Sequence, residues 1–333
     1  MLGFSLVSVY FRPNDKDILS LFGLIFPFLF FIVVLLTPFL YRKQKITFFF
    51  ALIGLTLSVP QMLSYVRYNK PSVTPERDLT VLTYNVMMGF GLVDHEQEPS
   101  PPKLEKLTSL LAMQPRPDIL CLQEAGPLAI KAFSKISEYP YTHSFSPKGA
   151  VIYSAHPIIK KGFLDFKSKV NSCLWADVLI SQKDTVRVYS VHLESTRLGS
   201  SSYNLLAEEG SQYSSAQGLK DLILKYPRYA GKRAEQAHLV KEHMTRSPHP
   251  VILCGDMNEP PTSYTYRVLK KNMTDAFVET GSGFGNTWKG KIPMLRIDYI
   301  FASERLTNTS YTCLHSDLSD HYPVKASFTF NEE

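Results

Sequence analysis

At 333 residues, with 44% apolar and 20% charged side chains, the chain has the composition of a folded protein and not of a disordered one. The net charge of +6 is unevenly spread: residues 1–71 carry seven Lys or Arg against two Asp, which leaves 29 basic and 28 acidic residues beyond them. That near balance argues against a dedicated, sequence-indifferent DNA binder, and four cysteines are too few for a disulfide scaffold.

The basic excess flanks hydrophobic segments, where Lys and Arg orient and anchor membrane helices. Met1 to Phe11 is apolar but too short to cross a bilayer alone. Leu19 to Tyr41 and Ile46 to Val66 hold no charged residue, and each is long enough to span a hydrocarbon core of about 30 Å. Pro27, Pro38 and Pro60 are awkward in soluble helices but tolerated in membrane ones. Arg42-Lys43-Gln44-Lys45 leaves room only for a tight turn, so the pattern predicts a membrane hairpin with spans at about 19–41 and 46–66. The positive-inside rule puts that turn in the cytoplasm and the rest of the chain outside it. The expected division is an anchor over residues 1–71 and a second domain over 72–333, joined by the extended linker Pro71-Ser72-Val73-Thr74-Pro75.

Beyond the linker come short β-type runs: Leu79–Val86, Asp118–Gln123, Ala150–Tyr153, Ser172–Ile180, Thr185–Leu193, Pro250–Cys254, Leu295–Phe301 and Val324–Phe330. Val186, Val188, Ser190 and His192 alternate as in a half-buried strand. Helical patterns intervene at Lys103–Met113, Pro127–Ile136 and Lys232–Met244, the last with Ala237, Val240 and Met244 on one face. Strands with scattered helices predict an α/β fold of face-to-face sheets covered by helices. Cys121 and Cys254 sit in apolar runs and read as core, while Cys173 and Cys313 are free to pair in principle.

Polar residues recur where these runs begin or end. Asn85 closes the first run, Glu124 the second, and His192 lies near the end of Val-Tyr-Ser-Val-His-Leu. Asp256 and Asn258 follow Val-Ile-Leu-Cys, Asp298 lies inside Arg-Ile-Asp-Tyr-Ile-Phe, and Asp320-His321 precedes the last run. Singly, Asn85 fits a turn, Glu124 a helix start and Gly-Asp-Met-Asn a plain turn. Asp298 fits least well, because a carboxylate among Ile297, Tyr299 and Ile300 needs a buried partner. Together they suit cleavage of a phosphate ester. Glu124, Asp320 and the Asn85 amide are oxygen ligands for a hard cation, and the histidines beside carboxylates suit proton transfer and phosphate binding.

The ordered set Tyr-Asn-Val, Leu-Gln-Glu, Val-His-Leu, Gly-Asp-Met-Asn, Arg-Ile-Asp-Tyr-Ile-Phe and Ser-Asp-His-Tyr-Pro-Val resembles the endonuclease/exonuclease/phosphatase superfamily across about residues 76–330. That superfamily includes pancreatic-type deoxyribonucleases, apurinic endonucleases, neutral sphingomyelinases and inositol-polyphosphate phosphatases. The resemblance implies a four-layer α/β sandwich, with the active site at one rim of two mixed β-sheets flanked by helices. It implies Mg²⁺ or Mn²⁺ held principally by Glu124, with Asn85 and Asp320 close by. Asp256 and Asn258 would orient water and phosphate; His321, backed by Asp298, would contact the phosphate or accept a proton. His192 matches the deoxyribonuclease and sphingomyelinase branches. Met87 stands where apurinic endonucleases carry an aspartate, which argues against an abasic-site role. Either Asp256 or a histidine can be the general base on this pattern.

The stretch from Thr196 to Arg233 is Ser- and Tyr-rich and leaves directly from the His192 run, so it is placed either to overhang the site or to lie on the surface. The sequence thus predicts a membrane-anchored, metal-dependent hydrolase of phosphate esters, a phosphodiesterase acting on nucleic acid or a phospholipid headgroup, with no obligate protein partner. An inactive membrane-bound binding module of the same fold is the alternative, and loss of Glu124, Asp256 or His321 would have favoured it.

Overall fold

The computed structural model describes residues 1–14, 18–70, 78–87, 105–106, 109–110, 116–136, 139–145, 149–168, 170–196, 215–290 and 292–331. The chain opens with helices α1 (Leu2–Ser8), α2 (Leu19–Leu24), α3 (Phe26–Lys43) and α4 (Lys45–Met62). The apolar spans therefore run differently from the expected 19–41 and 46–66. Residues 19–24 form a separate short helix, and the chain turns after Met62 into strand β1 (Val66–Tyr68). Only 11% of α3 and 6% of α4 is buried, so these are not core helices of a soluble domain. They pack on each other as a hairpin, which returns Tyr65 to stack on Phe26 with ring centroids 6.0 Å apart. The expected linker at 71–75 lies outside the described residues.

The remaining strands are β2 (Leu79–Asn85), β3 (Ile119–Gln123), β4 (Tyr141–Phe145), β5 (Ala150–Ser154), β6 (Ile158–Leu164), β7 (Ser172–Leu179), β8 (Thr185–His192), β9 (Val251–Asp256), β10 (Thr274–Asp275), β11 (Ser282–Phe284), β12 (Asp298–Ala302), β13 (Leu306–Cys313) and β14 (Val324–Phe330). Helices α5 (Pro127–Ile136), α6 (Ser215–Thr245), α7 (Tyr264–Lys270) and α8 (Ala276–Thr280) lie among them. Two six-stranded mixed sheets result, in the orders β10-β12-β9-β8-β7-β6 and β13-β14-β2-β3-β5-β4. Of the expected helix 103–113, only 105–106 and 109–110 fall among the described residues, and both pairs are helical.

The sheets pack face to face through residues alternating along their central strands, including Val81, Cys121, Val188, Cys254, Ile300 and Val324. The opposite faces are covered as well. Leu82, Leu120 and Val151 pack with Phe133 of α5, while Tyr189, Val191 and Leu253 pack with Ala237, Val240 and Met244 of α6. Double coverage explains why β2, β3 and β9 are buried at every position. It also corrects the half-buried reading of β8: its second face lies under α6, and Arg187 is neutralised by Asp177 at 2.6 Å. Each such aliphatic side chain contributes roughly 1.5–3 kcal/mol when removed from water. All four cysteines are free; Cys121, Cys173 and Cys254 are buried, and Cys173 and Cys313 belong to different sheets.

The N-terminal helices are not appended to this sandwich through a loose joint. β1 pairs antiparallel with β11, and Arg296, buried against Asp275 at 2.8 Å, donates a further hydrogen bond to Ser64 O at 2.9 Å.

Candidate active site

Strand register gathers the polar residues at one rim. β8 and β9 run parallel with His192 opposite Asp256, and antiparallel β12 begins with Asp298 opposite that same Asp256. In the other sheet β2 and β3 run parallel with Asn85 opposite Gln123, so Glu124 emerges beside Asn85. β14 runs antiparallel to β2, which brings the preceding Asp320 and His321 to the same edge. Asn85, Glu124, Asp256, Asn258, Asp320 and His321 all line one cavity of about 380 Å³. His192 and Asp298 lie buried against its polar floor.

The backbone is bent to achieve this. Met87, Glu124 and Asn258 have φ of 45°, 51° and 52°, a left-handed region that non-glycine residues enter at a cost of about 1–3 kcal/mol each. Gly255, just before Asp256, has φ of 133°, and a Cβ there would sit 2.0 Å from Val191 O, so the close β8–β9 approach requires glycine.

Asp256 is the hub. Its Oδ1 accepts from Asn258 N at 2.8 Å, and its Oδ2 accepts from Asn85 Nδ2 at 3.0 Å and Asn258 Nδ2 at 3.2 Å. Nε2 of His192 and of His321 each lies 3.8 Å from that Oδ2. Glu124 Oε1 is 3.3 Å from both Asn85 Nδ2 and His192 Nε2. His321 Nδ1 donates to Asp298 Oδ2 at 2.9 Å, the buried partner that Asp298 required. Burial disfavours charge on His321, but Asp298 and then Asp256 outweigh it and hold the imidazolium above histidine's ordinary range. Burial likewise pushes Asp298 above the usual carboxylate range, and His321 offsets part of that rise.

The donor set suits a hard cation. Asp256, Asp298 and His321 place ligand atoms within 4.8 Å of one another, but Asp298 and His321 already engage each other. The carboxylates of Glu124 and Asp320 line the cavity, and no cysteine does among its described residues. Asn85 stands differently from an oxygen ligand: its Oδ1 accepts from Met87 N at 3.0 Å, while its nitrogen faces Glu124 and Asp256.

The model of the Endonuclease/Exonuclease/phosphatase family matches residues 82–321, which include all eight of these side chains. The chain belongs to that family. It is accordingly a hydrolase of phosphate esters. No curated protein matches it. Its fold is similar to that of a mannosyl-6-phosphatase from Bacteroides thetaiotaomicron (19% identity, TM-score 0.56, covering 76% of this chain and 100% of that one). It is also similar to Danio rerio TDP2 complexed with a single strand DNA product (18% identity, TM-score 0.53, covering 75% and 98%).

Several residues that hold the cluster escaped the sequence reading. Ser319 Oγ donates to Asn85 O at 2.8 Å and accepts from His321 N at 3.2 Å, tying the last strand's entrance to β2. Thr287 Oγ1 accepts from Asp298 N at 3.0 Å, and Trp288 Nε1 lies 3.4 Å from Asp320 Oδ2. Ser319 is part of the Ser-Asp-His motif and was findable. Trp288, one of two tryptophans, stands in a polar stretch, a signal for a pocket wall. Thr287 carries no such mark. The 196–233 stretch divides: Thr196, Leu222 and Tyr226 line the cavity, beside Ser195 just before it, and from Ser215 the chain is the helix α6, with Arg233 buried against Glu259 at 2.8 Å.

Proposed function

We propose that this chain is a membrane-anchored phosphodiesterase working with a divalent cation, Mg²⁺ or Mn²⁺. The observation that carries it is the buried cluster His321–Asp298–Asp256, whose His321 and Asp256 share one cavity with Glu124 and Asp320. Water's oxygen bonds to phosphorus, the bond from phosphorus to the leaving oxygen breaks, and that oxygen takes up a proton, giving a monoester and an alcohol. Asp256, steadied by the Asn85 and Asn258 amides, orients the water and takes its proton. His321, cationic and turned by Asp298, donates through Nε2 to a phosphoryl oxygen. His192 fixes Glu124. Glu124 and Asp320 would hold the cation, joined by Asn85 once its amide is turned over, and a cation held there would supply positive charge against that building on the phosphoryl oxygens.

The anchor reading rests on α3 and α4, whose exposed Phe31, Leu35, Phe39, Phe50 and Leu57 need an apolar surrounding. With Arg42, Lys43 and Lys45 at the hairpin turn, the catalytic domain faces away from the cytoplasm.

The test is hydrolysis of bis(4-nitrophenyl) phosphate by the full chain in lipid nanodiscs with Mg²⁺ or Mn²⁺. Glu124→Gln is expected to lose at least about a hundredfold in kcat and to bind Mn²⁺ more weakly while unfolding at nearly the same temperature. Undiminished turnover in Glu124→Gln, or in excess chelator, would remove the cation from the reaction.

A further inference from the structure

We propose that the cavity takes an amphiphilic phosphodiester from the bilayer, its phosphate at the polar floor and its apolar part against a wall that the anchor itself supplies. This rests on the phosphodiesterase reading above and names its substrate class.

The apolar part of the cavity lining is formed by Leu24, Leu222, Leu295, Ile292, Ile297 and Trp288, the last with its Nε1 turned to the Asp320 carboxylate. Leu24 belongs to α2 and comes from the far end of the chain. It packs on Tyr226 and Ala230 of α6, with Leu21, Leu222 and Leu295 around it. α3, the first apolar span, begins at Phe26, two residues later. The wall of the catalytic cavity and the start of a membrane helix are therefore nearly the same piece of chain.

The fastening is specific. Thr262 Oγ1 donates to Gly23 O at 2.7 Å and lies 2.5 Å from Tyr65 OH, so one buried threonine clasps both ends of the hairpin. A Cβ on Gly23 would sit 2.4 Å from Thr262 O, so glycine permits the contact. Around this junction Phe4, Tyr10, Phe11, Ile18 and Ile25 are exposed, an apolar collar of the kind that sits at a bilayer's headgroup level.

The same wall disfavours the other class of phosphodiester. A nucleic-acid strand calls for cations along its backbone and rings for its bases. Among the described lining residues there is no Lys or Arg, and aliphatic side chains outnumber rings. An apolar chain fits such a surface, with up to about fourfold tighter binding per methylene removed from water.

The experiment uses the full chain in nanodiscs of a phosphate-free galactolipid, so that the bilayer is not itself a substrate. Hydrolysis of 4-nitrophenyl alkyl phosphates, from methyl to dodecyl, is compared with cleavage of a single-stranded oligonucleotide. The expected result is a rise in kcat/KM of at least about thirtyfold from methyl to hexyl, with the oligonucleotide a poor substrate. Leu222→Gln and Leu295→Gln are expected to flatten that slope through KM, and Leu295→Met to keep it. A slope equally steep in the Gln variants would reflect partition into the disc and overturn the proposal. So would a flat wild-type slope, or preference for the oligonucleotide, while the methyl ester is still cut. Failure to cut any ester, methyl included, would instead overturn the phosphodiesterase reading, and the lipid assignment with it.

Discussion

The floor and the wall of the cavity are built by opposite means. The floor comes from strand ends: Asn85 and Glu124 reach the rim because β2 and β3 pair in register in one sheet, and His192, Asp256 and Asp298 because β8, β9 and β12 do so in the sheet packed against it. Its groups are polar, mostly buried and largely bonded to one another, with His192 Nδ1 and Asp298 Oδ1 left without a hydrogen-bond partner among the described residues. The wall comes from helices and turns, and Leu24 and Leu222 meet only because α2 docks on α6 nearly 200 residues later. Its groups are apolar and interchangeable in kind. A floor of this sort sets which bond is cut; a wall of this sort sets what molecule is held, and the two are open to independent change.

The largest effect should come from the floor. Asp298→Asn keeps the shape but offers the His321 Nδ1–H an acceptor and a donor in place of a carboxylate, so the ring can settle with the wrong nitrogen facing the cavity. A loss in kcat of about 10³–10⁴ is expected for Asp298→Asn and for His321→Ala, with the double variant little worse than either, since the two act as a unit. Steady-state kinetics on a small diester, with circular dichroism as a check on folding, measures this. Losses that multiply in the double variant would mean that the two side chains work separately.

That floor was legible in the sequence because strand ends are local features. Each residue closes or opens an apolar run, and Asp298, lodged among Ile297, Tyr299 and Ile300, announced its need for a partner before His321 was seen to provide one. The two-sheet sandwich was legible for the same reason. Less visible were strands too short or too polar to read, such as β4 and β6, largely exposed, and β13, mostly half-buried, all three at sheet edges. Little of the wall was legible: Trp288 and the 196–233 stretch that holds Leu222 carried a signal, but the helix α2 did not. Leu24 looks like any other residue of an apolar stretch, and the docking that gives it a role depends on Gly23, Tyr65 and Thr262 meeting across the fold. The second apolar helix ends at Met62, short of the expected Val66, for a related reason: Tyr65 and Val66 pack against Phe26 and its neighbours, Tyr65 bonds to Thr262, and Val66 already belongs to β1.

A truncation series separates anchor from domain. Removing residues 1–71 strips Ser64 O from Arg296, Tyr65 from Thr262 and β1 from β11. A chain starting at residue 72 is expected to lose roughly 3–5 kcal/mol relative to one starting at residue 63, from one hydrogen bond to a charged donor and one buried tyrosine. Urea unfolding of the two truncated proteins gives the difference. Equal midpoints and slopes would mean that the sandwich ends where the linker begins and that the anchor is a tether.

The smallest effect tests the clasp alone. Thr262→Val keeps the volume of a fully buried side chain and removes the hydroxyl shared by Gly23 O and Tyr65 OH. Two buried polar groups are then left short of a partner, at a cost of roughly 1–3 kcal/mol in all. The catalytic floor makes no contact with that hydroxyl, so turnover of a small soluble diester should stay within about twofold of the parent. The wall should loosen instead: α2 is held to α7's entrance by this bond, and without it Leu24 has only its packing on Tyr226 and Ala230. Selectivity for long alkyl esters should therefore fall further than turnover of short ones, accompanied by a thermal midpoint lower by a few degrees. If both substrates declined in parallel, Thr262 would be supporting the floor; if neither moved and the midpoint held, the clasp would contribute nothing and the wall would stand on packing alone.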